Sequence, residues 1–272
     1  MSVIYGKGFY KLGGTPVPKA SLTPKSGVTY ISGLSSIEPA KLTILSQAIS
    51  NNGDITSETN TVYVDYKTTH VKIDIGNQVT IALNGTNYIF DVIGFNHDAL
   101  TDANAYGKAT ATGKAGITFQ MHDLFATAYK MNSTDTNRGG WKNSAMRTST
   151  MATMKGYLPA AWQTAIKPVN KASGTGGGSS SGTETVSDSC FLLAEIEVFG
   201  STTYSVSGEG TQYAYYKAGN SKVKKMSGSA SHWHERSPRT GYTQGFCMVS
   251  KYGDASASNA TLSPGVAFGF CV

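Results

Sequence analysis

The chain is poor in cysteine, in proline and in charge, and each shortage excludes something. Its three cysteines in 272 residues, Cys190, Cys247 and Cys271, form neither a Cys-x-x-Cys nor any zinc-type spacing, so no disulfide framework or structural metal knot is encoded. They read as buried thiols acting as small hydrophobes. A bridge between Cys247 and Cys271 is geometrically conceivable, because the two occupy matching segments. Eight prolines against 31 glycines argue against proline-rich linkers, and no collagen or coiled-coil period is present. No apolar stretch approaches the ~18 residues of a membrane span. The first ten residues, MSVIYGKGFY, lack the charged start and continuous apolar run of a signal peptide, so neither membrane insertion nor export by that route is expected. Charged residues are 15% of the total; their balance of +6 gives a pI near 9.0. Lys and Arg are scattered, apart from Lys222, Lys224 and Lys225 beside Arg236 and Arg239. A nucleic-acid partner needs clustered charge, and none is expected here.

What is present suits a turn-rich globular protein. Hydrophobic residues make up 39%, with 15 Tyr and 10 Phe, enough for a real core. Residues 1–32 show no period and read as an extended arm. Ser36 as N-cap and Pro39 in the first turn open a helix whose apolar face is Ile37, Ala40, Ile44, Leu45, Ala48 and Ile49, stopped by Asn51-Asn52-Gly53. Alternation marks strands over residues 62–66 and 71–75. Asn84-Gly85 between two apolar runs predicts a tight hairpin. Helices are expected over 121–131, from Asn143 to about Lys155, and from Pro159 through Trp162 to Ile166. The tract 171–184, KASGTGGGSSSGTE, reads as a surface loop inside a domain.

The most informative stretch is 231–272. Trp233-His234-Glu235-Arg236-Ser237-Pro238 and Gly265-Val266-Ala267-Phe268-Gly269-Phe270 bracket a middle of small polar residues and single aromatics, and Gly245-Phe246-Cys247 echoes Gly269-Phe270-Cys271. A polar tract carried by short apolar strands is displayed on a frame. These residues, with Gly253, resemble the C-terminal end of the C-type-lectin-like variable proteins diversified by retroelements, which many phages and some bacteria use for binding and which are related in fold to the formylglycine-generating enzymes. Residues 94–98, 116–120, 139–147 and 188–198 further resemble a domain frequent in gut Gram-positive bacteria and their phages, extending the likeness from about residue 70 to the end.

The resemblance implies an α+β fold: a C-type-lectin-like domain over 69–272, preceded by an arm-plus-helix region over 1–68 for attachment or oligomerisation. It also implies a ligand-binding face made of His232, His234, Arg239, Thr240, Tyr242, Thr243, Gln244, Met248, Ser250, Lys251, Tyr252, Asp254, Ser256, Ser258, Asn259, Thr261, Leu262 and Pro264. Tyr242 and Tyr252 are the expected anchors, since Tyr buries area at low entropic cost. Trp233, Glu235 and Arg236 read as scaffold, an aromatic plug and an ion pair.

Candidate chemistry is sparse. His97-Asp98 and His122-Asp123 place a His beside a carboxylate without a nucleophile motif, and structural turns or helix starts account for both. His232 and His234 lack a third metal ligand, and the face holds one carboxylate, Asp254, so no metal or cofactor is expected. The expected function is that of a phage tail-tip adhesin recognising a host cell-surface receptor, protein or glycan, within the virion. It would be joined to other tail proteins through its N-terminal region and would form a homo-oligomer, a trimer by analogy. A bacterial surface or secreted binding protein of the same fold is the alternative, and a formylglycine-generating-type enzyme a distant third.

Overall fold

The computed structural model describes residues 17–35, 37–178 and 182–272. Two short strands, β1 (Lys19–Ser21) and β2 (Ile31–Ser32), precede helix α1 (Pro39–Ser50). The hairpin of β3 (Thr61–Tyr66) and β4 (Thr69–Asp74) follows, completing a sheet of order β1-β3-β4-β2 in which only β2 runs parallel to its neighbour. Next come β5 (Gln78–Leu83), β6 (Thr86–Phe95) and β7 (Ile117–Met121). Asn84 and Gly85 turn the β5–β6 hairpin at φ 46° and 84°, the left-handed pair that an Asn-Gly turn supplies.

Helix α2 (Gly140–Asn143), a π-helical turn (Met146–Thr150), α3 (Met151–Tyr157) and α4 (Ala160–Ala165) form the helical segment. Strands β8 (Val169–Gly174) and β9 (Thr183–Asp188) pair with each other, and β10 (Cys190–Phe191) leads to α5 (Glu195–Phe199) and α6 (Ala214–Lys217). The last third holds the β11 (Lys224–Met226) and β12 (Ser229–Ser231) hairpin, then β13 (Trp233–Pro238), β14 (Gly245–Val249), β15 (Ala255–Asn259) and β16 (Gly269–Cys271). β13, β14 and β15 make an antiparallel sheet with β14 in the middle, while β16 crosses to the other side and inserts between β10 and β7 in the five-stranded sheet β10-β16-β7-β6-β5.

The architecture is therefore α+β, built of several small sheets with short helices. Its core is continuous. Phe270 sits at its centre, with ring centroids 5.4 Å from Phe90, 5.5 Å from Phe119 and 5.7 Å from Trp162. Helix α1 belongs to the same core: Leu42, Leu45 and Ile49 are fully buried, and Ser46 Oγ donates to the carbonyl of Val272. The division proposed at 68/69 falls in the β3–β4 turn, between two strands paired along their whole length.

Several expectations need correction. Ser36, the proposed cap of α1, lies outside the described residues; Glu38 occupies the N-cap position, without a side-chain bond. The buried face of α1 is also turned from the one expected. Ala40 is exposed and Ile44 half-buried, whereas Leu42, Ser46 and Ser50 are buried, because the helix packs on β1 and β3 as well as α4. No helix forms over 122–131. There the backbone N–H groups of His122, Leu124 and Phe125 donate to Ile89, Lys225 and Val266 across neighbouring segments, so helix-like spacing of Met121, Leu124 and Phe125 arises from an irregular chain with three inward side chains. The tract 171–184 begins and ends as paired strand, and Lys171 within it is buried. Cys247 and Cys271 lie in different sheets and, like Cys190, are free and buried.

Candidate functional site

Strand β13 is buried at every position, and its charged residues explain how the C-terminal tract is held. Arg236 uses all five of its N–H groups: Nε donates to Ala172 O, Nη1 to Leu192 O and Glu197, and Nη2 to Glu197 Oε1 at 3.0 Å and Glu209 O at 2.7 Å. The ion pair expected with Glu235 is made instead with Glu197, whose helix α5 faces β13. Lys171 Nζ joins the same carboxylate at 2.7 Å and reaches Asp98 Oδ1, also at 2.7 Å, while the Tyr213 hydroxyl donates to Asp98. Burial opposes ionisation of Glu197, but Arg236 and then Lys171 outweigh it and hold the carboxyl below its ordinary value. Asp98 follows the same logic: burial works against its charge, and Lys171 and His97 bring its pKa well down. The ring of His97 stacks on Tyr213 at 3.8 Å. His97-Asp98 is thus part of an internal lattice of charge that clamps β6, β8, α5 and β13 together.

Glu195 and Glu209 extend this lattice toward the surface. Glu195 accepts the backbone N–H groups of Thr203, Tyr204 and Ser205. Glu209 accepts from Ser237 Oγ, Ser173 Oγ and the N–H of Gly174. Glu235 is different, since neither of its carboxylate oxygens has a hydrogen-bond partner among the described residues. Burial first, then the nearby charges of Glu195 and Glu209, push its pKa well up. Both effects favour the protonated, neutral form of the side chain.

Above this frame lies the tract proposed as a binding face, and the structure divides it. His234 is interior: Nε2 donates to Tyr129 O at 2.8 Å and burial brings its pKa down to about 4, so it is a neutral core residue. Ser250 is also buried, with its Oγ accepting the N–H groups of Tyr252 and Asp254 to shape the β14–β15 turn. Met248, Ser256 and Ser258 are half-buried along β14 and the small-residue edge strand β15. Thr240 and Pro264 are half-buried, and His232 is exposed before β13 begins. Its neighbour His234 points inward, so the two do not form a metal pair. Among the described residues no group of three or more His, Cys, Asp or Glu could hold a metal ion.

The remaining positions form two separate surfaces, one at each end of β14. At the turn end are Lys251, Tyr252 and Asp254; Tyr252 is 74% exposed, with Lys251 Nζ 5.0 Å from its ring centre. At the other end Tyr242, Thr243, Gln244 and Leu262 are exposed, with Arg239, Asn259 and Thr261 half-buried among them. Here the guanidinium of Arg239 lies 5.0 Å from the Tyr242 ring and 5.5 Å from the Tyr204 ring. The Tyr242 hydroxyl is 2.9 Å from Gln244 Oε1 and 3.3 Å from Asn259 Oδ1. Asn259 Nδ2 in turn donates to Asp135, which also accepts from the backbone and hydroxyl of Thr261; those bonds lower the Asp135 pKa.

Three contributors to this end were not visible in the sequence: Asp135, Asn137 and Tyr204. Asn137 is buried and donates from Nδ2 to the carbonyls of Arg239, Tyr242 and Gly245, pinning the loop from below, while its Oδ1 accepts from Gly177 N. The neighbouring loop must be glycine at 176, where φ is 67° and a Cβ would lie 1.7 Å from Asn137 O. The polar run ending in Gly139-Gly140 is a local signal of a tight loop, but nothing in it says which distant strand the loop supports.

No curated protein and no solved structure matches the chain. Residues 115–272, from β7 through the charge lattice to the last strand, match the family described as a domain of unknown function, DUF6273, over more than half of the chain, which therefore belongs to that family.

Proposed function

We propose that the chain is a receptor-binding protein of C-type-lectin-like architecture, with its recognition surface at the two ends of the β14–β15 hairpin. The observation that carries this reading is the division of labour within 231–272. Trp233, Arg236, Phe268 and Phe270 are buried, while Tyr242 and Tyr252 between them are exposed on loops tied down from beneath. Rigidly held aromatic side chains surrounded by Arg, Gln, Asn and Asp are the composition of a recognition surface. The thiols fit thiol chemistry poorly: burial pushes Cys190 up to about 12 and raises Cys247 and Cys271 well above the ordinary thiol value, against the low pKa of a cysteine nucleophile.

A phage tail-tip adhesin is the setting this reading favours, on the strength of the resemblance in 231–272. Attachment to other tail proteins, or oligomerisation, would fall to the outside of the first sheet, where Val17, Leu22 and Ile31 are exposed apolar side chains. The test is binding to intact host cells by the Tyr242→Ala, Tyr252→Ala double variant. A loss of about 2 kcal/mol or more in affinity, with an unchanged melting temperature, is expected. Wild-type binding by the folded double variant would move the recognition surface elsewhere.

A further inference from the structure

Away from the C-terminal face, a groove of about 210 Å³ lies where the start of β6 and the end of β7 meet the turn between β11 and β12. Tyr88, Ile89 and Leu124 give it apolar walls, with Ile89 42% exposed, and His122 and Lys225 stand on its rim. His122 is not an ordinary surface histidine. Its Nδ1 donates to Asp91 Oδ2 at 2.8 Å, and Asp91 is buried, with its other oxygen accepting from Gln78 Nε2 at 2.9 Å. A carboxylate held from both sides fixes the tautomer and the ring plane, leaving Nε2 as the nitrogen without a protein partner among the described residues. The hydrogen bond that His122 donates to Asp91 raises the His122 pKa against the opposing effect of burial, and so favours the imidazolium.

The surroundings sharpen the choice of ligand. Lys225 is exposed and makes no ion pair among the described residues, while its backbone N–H is fastened to Asp123 Oδ1 at 2.7 Å. Lys224, behind the groove, is buried and donates to the carbonyls of Met121 and His122. The charged and titratable groups around the imidazole are thus Asp91 and Asp123 on one side and Lys224 and Lys225 on the other, with Tyr215 near Asp91. Once His122 is protonated, cations outnumber anions, and the two unpartnered donors sit beside apolar walls. We propose that this groove binds a small ligand bearing a phosphate or carboxylate group, held by His122 Nε2 and Lys225 Nζ, with the adjoining apolar part against Ile89 and Leu124. The site is independent of the receptor-binding surface.

The experiment is an NMR titration of the full chain, with ¹⁵N-labelled histidine rings, against inorganic phosphate in one arm and benzoate in the other. The His122 resonances should shift saturably while those of His232 stay still, and the His122 titration midpoint should rise by about half a pH unit or more when ligand is bound. Lys225→Gln should weaken binding about tenfold, and His122→Gln should abolish it. A response to phosphate alone assigns a phosphorylated ligand; a tighter response to benzoate assigns a carboxylate with an apolar body. Shifts of equal size at all histidines, no shift in either arm, or undiminished binding by the Lys225→Gln variant would each overturn the proposal.

Discussion

At the scale of single residues, the interior charges behave in opposite ways. Arg236→Met would leave Glu197 buried with only Lys171 to balance it, and a loss of about 3–5 kcal/mol in urea unfolding is expected. Arg236→Lys should recover little of this, since an ammonium cannot serve five acceptors spread over four segments of the chain. Glu235 gives a pH signature. Its folded pKa stands well above the ordinary 4.5, so as pH rises past that value the unfolded chain gives up its proton and the folded chain does not. Stability falls by as much as ~1.4 kcal/mol per pH unit until the folded pKa is reached. Asp98 and Glu197, whose folded pKa values are lowered, have the reverse effect: their contribution is complete at neutral pH and is lost at the acid end. Buried neutral His234 pulls the other way between about pH 4 and its ordinary 6.5, so the test is a difference: the urea midpoint of Glu235→Gln should gain on that of the wild type as pH rises from about 5. An unchanged slope in that variant would mean that Glu235 ionises in the folded protein. Trp233 and Arg236 were legible as scaffold from their motif alone. The partner of Arg236 was not, because Glu197 lies 39 residues away and carries no local mark.

At the scale of elements, legibility followed how local the determining interactions are. The β5–β6 hairpin is written in Asn84-Gly85 and in alternation on both sides, and α1 in its first-turn proline and its apolar positions. The segment after β7 defeated the helical reading because its backbone donors are claimed by strands β6 and β11 and by Val266, partners that a window of ten residues cannot contain. Exposure across the proposed binding face was half legible. Tyr242 and Tyr252 are exposed as expected, but His234 and Ser250 turned inward because β13 is buried on both faces and Ser250 organises its own turn. Strand β16 offers the clearest test of an element: Phe270→Ala removes a fully buried ring that touches three other aromatic side chains, and should cost about 3–5 kcal/mol. A cost below about 1 kcal/mol in chemical denaturation would contradict the packing described.

At the scale of the whole molecule, the described residues before 69 share one core with the rest, with consequences for any truncation. Deleting residues 1–55 removes Leu42, Leu45 and Ile49, and burying side chains of that size is worth about 1.5–3 kcal/mol each. Their sum approaches the whole stability of a typical domain. The truncated chain should lose cooperative unfolding in calorimetry, whereas a sharp transition near that of the full chain would show that α1 is dispensable. The position of β16 has a consequence in time. Cys271 pairs with Thr118, 153 residues earlier in the chain, and the strand fills a slot between β10 and β7. A ribosome needs roughly 8–30 s to translate that separation. Throughout that interval one edge of β7 stays without its partner, joined by the edge of β10 once residues 190–191 have been made, and both are open to other nascent chains. Completion of the five-stranded sheet therefore waits for β16, and the yield of folded protein should depend on how well those two edges are shielded until residues 269–271 arrive.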